Sequence, residues 1–333
     1  MSQGNIENFD DKKNKKIGGV SVVNPVFIAP MAGVTFLSFR LFHKGLGASL
    51  VHTEMVSALG LIYGGAKTRE YLVGSPLEEP CVLQLFGDTP ENISRGAEIA
   101  LSVRQFPALQ INMACPMPKV TKKGAGSALL SDIKKSGQII ASLKKFGLPV
   151  WAKIRLVGGD IPYSTEDFCQ ELLDNGCDFI AVHGRTKAQR YEGLSNKSAV
   201  VSLAYKFKGL IGASGDIFCP SDSQYFLENG IEAVFLARGL LRDAFLVPKT
   251  LSLLGYDVPQ KYLTPSIKDQ TDLLVTLGQR VLACEGEKRA VVLAKRQAAA
   301  LFKGTSGAAA LRQRISFCRC WQEIENTLLK QHY

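Results

Sequence analysis

The sequence contains few of the residues that build metal sites or disulfide frameworks. It has only 4 histidines in 333 residues, and its 8 cysteines are scattered without a CxxC pair. Zinc sites need Cys and His ligands at short, regular spacing, and disulfide frameworks belong mainly to small secreted chains. We therefore expect no bound metal, and we expect reduced thiols.

Long apolar runs are missing as well. No run approaches the roughly 18 apolar residues of a membrane span, and the N-terminal MSQGNIENFDDKKNKK lacks the apolar core of a signal peptide. These absences predict a cytoplasmic protein without a membrane partner. We interpret residues 1–16 as a polar leader that is frayed or covers an edge.

Basic residues exceed acidic ones, with 40 Lys and Arg against 30 Asp and Glu, for a net charge of +10. This excess favours an acidic partner such as RNA, a phosphate-bearing cofactor or a membrane surface. Charge alone does not choose among them, and many basic proteins bind none of the three.

Short apolar runs recur along the chain, and helix-length amphipathic segments separate most of them. Near-continuous apolar strands alternating with helices indicate a parallel sheet buried on both faces, and a count of eight predicts a closed (β/α)₈ TIM barrel over residues 17–258. The run at 49–55 is the weakest of the set. The runs lie at 25–33, 49–55, 81–87, 108–115, 149–157, 179–186, 210–217 and 233–239.

The pattern changes at PQKYLTPS (259–266), after which no strand signal follows. Residues 259–333 are predicted to form a small all-helical C-terminal domain, with one break at GTSG (304–307). Its basic side chains either form a solvated helix face or follow an RNA backbone. They include Arg280, Lys288, Arg289, Lys295, Arg296, Lys303, Arg312, Arg314 and Arg319.

Polar residues collect where the predicted strands end, which is where barrel enzymes place their chemistry. Gln84, Asn112, Lys153 and His183 would project into one mouth as a ring of polar groups. The last two strands end where barrels commonly hold a phosphate through backbone N–H groups. Together these features predict a flat, phosphorylated cofactor, for which flavin mononucleotide (FMN) is suitable. The strand-seven and strand-eight residues are Ser214, Gly215, Asp216, Ala237, Arg238 and Gly239.

One cysteine stands out in INMACPMPKVTKKGAGSALL (111–130), because Cys115 follows an apolar run and is flanked by Pro116 and Pro118. The thiol could be a packing residue, the commonest fate of a free cysteine, or a reagent at the barrel mouth. A thiol of ordinary pKa, about 8.5, is mostly protonated at neutral pH and can act as a general acid. The lysines that follow it could contact RNA phosphate. They are Lys119, Lys122 and Lys123.

Several collinear motifs resemble the tRNA-dihydrouridine synthase family, in particular its bacterial B-type subgroup. The resemblance covers nearly the whole chain, although Ala114 and Ser214 stand where the family usually has Gly and Asn. The motifs are APMAGVT (29–35), TEMVSA (53–58), LQLFG (83–87), INMACPMPKV (111–120), GAGSALL (124–130), AKIRL (152–156), VHGRT (182–186), SGDI (214–217), ARG (237–239) and FKGTSGAAALRQRI (302–315).

The resemblance implies an FMN enzyme that reduces the C5–C6 double bond of a uridine in folded RNA, with NADPH as reductant. Cys115 would be the proton donor, Asn112 a uracil contact, and Arg185 a residue near flavin and substrate. Lys119, Lys122, Lys123, Lys295, Arg296 and Arg312 would contact RNA. The implied flavin-binding residues are Pro30, Met31, Ala32, Gln84, Lys153, His183, Ser214, Gly215, Asp216, Ala237, Arg238 and Gly239.

The expected substrate is tRNA, with rRNA open and DNA not expected, and the expected protein is a monomer. Two other hypotheses remain at this point. One is an FMN oxidoreductase that acts on a small molecule, and the other is an inactive RNA-binding protein built on a flavin barrel.

Overall fold

The computed structural model describes residues 14–302 and 307–330. An antiparallel hairpin, β1 (Lys15–Ile17) and β2 (Val20–Val22), precedes a parallel sheet of eight strands. The strands of the sheet are β3 (Val26–Ile28), β4 (Val51–Ser57), β5 (Cys81–Phe86), β6 (Leu109–Met113), β7 (Val150–Leu156), β8 (Phe179–Thr186), β9 (Ile211–Ser214) and β10 (Ala233–Leu236).

The sheet closes into a barrel. Its strand order runs from β4 through β5 to β10 and then to β3, and a parallel bridge between Phe27 and Leu50 joins the two ends. The Ile28 amide donates to the Leu50 carbonyl over 2.9 Å at this seam. All eight apolar runs predicted as strands, including the weak one at 49–55, are strands of this barrel.

Helices cover the outside of the barrel, so the strands are buried on both faces, as their near-continuous apolar sequences require. Most of these helices connect successive strands. They are α1 (Leu37–Gly45), α2 (Ala58–Ile62), α3 (Ala66–Arg69), α4 (Pro90–Val103), α5 (Pro118–Thr121), α6 (Ile133–Lys144), α7 (Thr165–Asp174), α8 (Lys197–Lys206), α9 (Pro220–Glu228), α10 (Leu246–Leu253) and α11 (Gln260–Leu263).

The N-terminal hairpin closes the bottom of the barrel. Trp151, at the start of β7, donates from its indole Nε1 to the Gly18 carbonyl over 2.8 Å. Gly18 has φ +52, and a Cβ there would lie 2.6 Å from Trp151 Nε1, so the turn needs glycine. The predicted leader extends to residue 16, but Lys15 and Lys16 already belong to β1, and residues 1–13 lie outside the described part.

A helical unit follows the barrel, as predicted. Ser38 of α1 donates its backbone N–H to the Glu285 carboxylate over 2.8 Å, and its hydroxyl bonds the same group. These contacts fix the new unit against the first barrel helix. The helices of the unit are α12 (Ile267–Glu285), α13 (Glu287–Leu301), α14 (Ala308–Phe317) and α15 (Trp321–Leu329).

Most of the predicted break at GTSG lies outside the described residues, and Gly307 caps α14. In the described ranges, no helix combines the length and apolar character needed to cross a bilayer. The same ranges contain no cluster of three or more His, Cys, Asp or Glu side chains arranged to hold a metal ion.

The packing of α12 on α15 generates a stability prediction. A methyl group at Gly278 would lie 1.8 Å from Trp321 Cη2. Alanine normally stabilises a helix interior relative to glycine by about 0.5–1 kcal/mol, but overpacking costs about 1–3 kcal/mol. We expect Gly278→Ala to lower the melting temperature measured by tryptophan fluorescence.

The matched control for this substitution is Gly45→Ala in α1. A methyl group at Gly45 meets no atom within 4 Å. This variant should melt at the wild-type temperature or above it. A Gly278→Ala protein as stable as the control would contradict the packing of α15 on α12.

Candidate active site

A cavity opens at the carboxyl ends of the strands, and we call it the mouth cavity. Ten of the twelve predicted flavin-binding residues line it, whereas Ala32 and Gln84 do not. Tyr191, Ile217 and Phe218 also line it, although the set of predicted site residues does not contain them. The ten are Pro30, Met31, Lys153, His183, Ser214, Gly215, Asp216, Ala237, Arg238 and Gly239.

Cations outnumber carboxylates around the mouth cavity. Arg185 forms a two-point ion pair with Asp216, at 2.8 Å and 2.6 Å, and Arg238 reaches the same carboxylate at 3.0 Å. Asp216 is the one carboxylate in the cavity lining within the described ranges. Its pKa is lowered, because the hydrogen bonds from Arg185 and the Ser195 amide outweigh the opposing effect of burial.

Arg185 is less available to a substrate than the family resemblance implies. Its side chain is 2% exposed, and it also donates to the Glu192 and Gly193 carbonyls. The guanidinium therefore holds the loop after β8 against Asp216. Contact with substrate stays a prediction for this residue.

Lys153 is a buried cation whose nearest hydrogen-bond partner is neutral. Its Nζ lies 3.4 Å from Ser214 Oγ, and burial, reinforced by Arg155, lowers its pKa to about 7. A buried ammonium without a carboxylate is costly unless a ligand supplies negative charge. Lys153 therefore favours an anionic group in the mouth cavity.

His183 is a neutral imidazole. Burial and the charges of Lys153, Arg155, Arg185 and Arg238 lower its pKa to about 2. Its Nε2 lies 3.3 Å from Arg185 Nη1, and because a guanidinium only donates, Nε2 is the acceptor. The ring proton therefore resides on Nδ1.

Two glycines shape the end of the cavity that lies after β9 and β10. Gly215 has φ +102, and a Cβ there would lie 2.5 Å from His183 Cδ2. At Gly239 a Cβ would lie 2.3 Å from the Ile217 carbonyl oxygen. Only glycine allows the backbone to approach His183 and the Ile217 carbonyl this closely.

These features fit FMN. The surplus cations suit a phosphate and an electron-rich ring, and the glycine turns present backbone at the ends of the seventh and eighth barrel strands. Lys153, His183 and Arg238 would hold the charged parts of the cofactor.

Cys115 lies on the loop after β6. Its backbone N–H and its carbonyl both form hydrogen bonds. Asn112 Oδ1 accepts from the amides of Ala114 and Cys115 over 3.1 and 2.9 Å. Arg155 Nε donates to the Ala114 carbonyl over 2.7 Å, and the Ser127 amide donates to the Cys115 carbonyl over 3.0 Å. The thiol therefore projects from a fixed backbone.

Both polar atoms of the Asn112 side-chain amide have hydrogen-bond partners within the protein. Its Nδ2 donates to Gln84 Oε1 over 2.9 Å and to Met55 Sδ over 3.0 Å, while Oδ1 takes the two backbone amides. Gln84 in turn donates to Gln110 Oε1 over 2.6 Å. In this arrangement Asn112 anchors the Cys115 loop, and the contact with uracil that the resemblance implies stays a prediction.

The Cys115 thiol is half-buried, and burial raises its pKa above the usual range. The Met117 amide and Arg155 oppose this effect without reversing it. A raised pKa keeps the thiol protonated at neutral pH, as a proton donor requires.

Arg155 is the main site residue to which the sequence motifs assign no role. Its side chain is 1% exposed, and besides Ala114 it bonds the carbonyls of Thr186 and Arg190, at 3.1 and 2.7 Å. It therefore ties the loop after β6 to the loop after β8. The signal is present in the sequence, because Arg155 stands two residues after Lys153 on the same strand face.

The predicted RNA contacts are dispersed. Lys119 and Lys123 line a separate cavity beside Met55, and Lys122 is exposed. Arg296 donates to the Gly33 carbonyl over 2.9 Å, so it links α13 to the first strand loop. Lys295 and Arg312 are half-buried on the helical unit.

The pKa of Lys153 generates a pH prediction for the protein without cofactor. Between about pH 7 and pH 10 the unfolded chain binds one more proton than the folded chain, so stability rises with pH through this window. Lys153→Met should therefore raise the unfolding free energy near pH 6 by on the order of 2–4 kcal/mol. The same gain in unfolding free energy, measured by urea titration, should be smaller at about pH 9.

The control for this measurement is Lys145→Met, which changes an exposed lysine before β7. It should show no pH-dependent gain. A Lys153→Met gain that is the same at both pH values would contradict the assigned pKa.

Comparison with known proteins places this site in a family. The family profile described as Dihydrouridine synthase (Dus) matches residues 27–332. The chain is 32% identical over 230 residues to the tRNA-dihydrouridine synthase B of Pseudomonas aeruginosa, covering 67% of this chain and 68% of that protein. It is 30% identical over 319 residues to the probable tRNA-dihydrouridine synthase 1 of Synechocystis, covering 95% and 88%.

A solved structure shares the fold alone. The structure of TcOYE with pHBA aligns with a TM-score of 0.54 at 12% identity and covers 77% of this chain and 97% of that one. The family profile spans the barrel, the loop of Cys115 and the helical unit together. The chain therefore belongs to the dihydrouridine synthase family of enzymes.

Proposed function

We propose that this enzyme reduces the C5–C6 double bond of a uridine in tRNA to 5,6-dihydrouridine. FMN would be its cofactor and NADPH its reductant, and it would act in the cytoplasm. Family membership supports the reaction, and the observation that carries the proposal is the fixed backbone of Cys115, whose thiol has a pKa raised by burial.

Reduction of the double bond adds a hydride at C6 and a proton at C5. Bound FMN would supply the hydride. Cys115 would supply the proton, and the bonds to Asn112, Arg155 and Ser127 hold its backbone so that the thiol meets the substrate in one orientation.

The side chains of the mouth cavity would bind and orient the cofactor. Lys153 would place positive charge beside the ring system, where it favours added electron density. Arg238 and the Gly215 turn would hold the phosphate, and the neutral His183 would donate from Nδ1. The Arg185–Asp216 pair would keep the loop after β8 in place above them.

We also propose that the two domains have different roles. Residues 17–258 would carry catalysis, and residues 259–333 would bind RNA. A target base inside a folded RNA must be extruded to reach a barrel mouth, and a second wall of basic side chains would hold the RNA during extrusion. The residues proposed for RNA contact are Lys119, Lys122 and Lys123 on the barrel and Lys295, Arg296 and Arg312 on the helical unit.

The direct test uses purified protein loaded with FMN, NADPH and an unmodified tRNA transcript. We expect wild type to form dihydrouridine, measured by nucleoside mass spectrometry. Cys115→Ala should lower kcat by about 10²–10⁴-fold, the usual contribution of a general acid, at equal FMN content.

Cys284→Ala, which changes an exposed cysteine on α12, serves as the matched control and should keep wild-type kcat. Full activity in Cys115→Ala would remove this thiol from the mechanism. A wild-type protein that reduces a small molecule but no RNA would overturn the proposed substrate.

A further inference from the structure

A second cavity lies beside the Cys115 loop, and none of the predicted site residues lines it. We call it the loop cavity. It has a volume of about 410 Å³ and is formed by the loops that follow β6, β7 and β8. Pro116, the residue after Cys115, is part of its lining. The size is suitable for a nucleotide-sized ligand.

The loop cavity is separate from the mouth cavity. One segment after β8 divides them, since Lys187, Ala188 and Arg190 line the loop cavity whereas Tyr191 lines the mouth cavity. Arg155 fixes this partition through its bond to the Arg190 carbonyl. A ligand in the loop cavity would therefore lie next to, and not within, the cofactor site.

A buried hydroxyl in the cavity wall has no partner in the described chain. Ser127 is 0% exposed, and its Oγ makes no hydrogen bond there. Its backbone amide is engaged with the Cys115 carbonyl, so the residue is fixed in place. An unsatisfied buried hydroxyl is unfavourable, and a ligand with a polar edge would satisfy it.

Besides the hydroxyl side chains of Thr121 and Ser131, the remaining lining includes apolar side chains and two cations. Pro116, Leu156 and Ile161 provide apolar surface, and the exposed Lys187 and Arg190 provide positive charge. Within the described ranges, the lining includes no Asp or Glu. Apolar surface beside cations, with a buried hydroxyl in the wall, suits a nucleotide better than a purely polar or purely apolar ligand.

We propose that the loop cavity binds the nucleotide that adjoins the target uridine in the RNA. This proposal rests on the proposed function. The base or ribose lies against Pro116 and Leu156, the Ser127 hydroxyl bonds its polar edge, and its phosphate meets Lys187 and Arg190. An extruded uridine beside Cys115 leaves its covalent neighbour within reach of the next cavity along the same loop.

The test measures steady-state kinetics of dihydrouridine formation on an unmodified tRNA transcript. One variant, Lys187→Gln with Arg190→Gln, removes the rim charges, and a second, Ala188→Phe, fills the cavity from an exposed position. Both should raise the KM for tRNA by about tenfold while kcat at saturating tRNA stays within about twofold. The charge variant should also make the slope of log(kcat/KM) against log[salt] shallower by about 1 for each phosphate that the protein no longer neutralises.

The matched control is Lys145→Gln with Lys208→Gln, which removes two exposed charges at the opposite end of the barrel, before β7 and β9. It should keep the wild-type KM and salt dependence. If both cavity variants behave like this control, the loop cavity does not bind RNA. A rise in the KM for NADPH in place of tRNA would assign the cavity to the reductant and overturn the proposal.

The outcomes separate this inference from the proposed function. A wild-type protein that forms dihydrouridine, together with cavity variants of unchanged KM, refutes the loop cavity alone. A wild-type protein that forms no dihydrouridine in any RNA refutes the function on which the inference rests.

Discussion

The site depends on one acceptor atom, Asn112 Oδ1, which receives the backbone amides of both Ala114 and Cys115. Because backbone N–H groups only donate, this contact fixes the orientation of the Asn112 amide and hence of Gln84 and Gln110 behind it. The chain of amides ends at Gln110 Nε2, which is buried without a partner in the described ranges. The orientations of these three buried side-chain amides therefore depend on the hydrogen bonds of the Cys115 loop.

Arg155 provides the second constraint on the same loop. Its guanidinium joins Ala114 to the carbonyls of the loop after β8. Burial is the main cause of the lowered pKa values of Lys153 and His183, and the charge of Arg155 adds to it. One buried residue therefore helps to hold the Cys115 loop and also adds positive charge beside the mouth cavity. The structure tolerates this excess of positive charge because Asp216 neutralises part of it.

Much of the fold could be predicted from the sequence, because its signals are local and periodic. Eight apolar runs alternating with helices specify the barrel, and strand-end positions identify most of the mouth cavity. The motif carrying Cys115 also marks the proposed proton donor. The hairpin under the barrel was not predicted, since Lys15 and Lys16 have the composition of a polar tail and only the contact of Gly18 with Trp151 explains the strand.

Side-chain partnerships could not be predicted in the same way, because they depend on distances between strands. Asn112 and Arg185 have the residue types of substrate contacts, yet each has its hydrogen bonds directed to other parts of the protein. Arg296 has the charge of an RNA contact, which stays a prediction, and its bond to the Gly33 carbonyl is visible only in the structure. The loop cavity is lined by residues of three loops, and no short sequence motif indicates that these loops form one cavity.

The most direct test of the central claim is nucleoside mass spectrometry of fractionated tRNA and rRNA from cells lacking this gene, complemented with wild type or Cys115→Ala. We predict that dihydrouridine at one or more tRNA positions disappears on deletion and returns only with the wild-type gene. Unchanged tRNA dihydrouridine in a strain with no other synthase, or full restoration by Cys115→Ala, would contradict it.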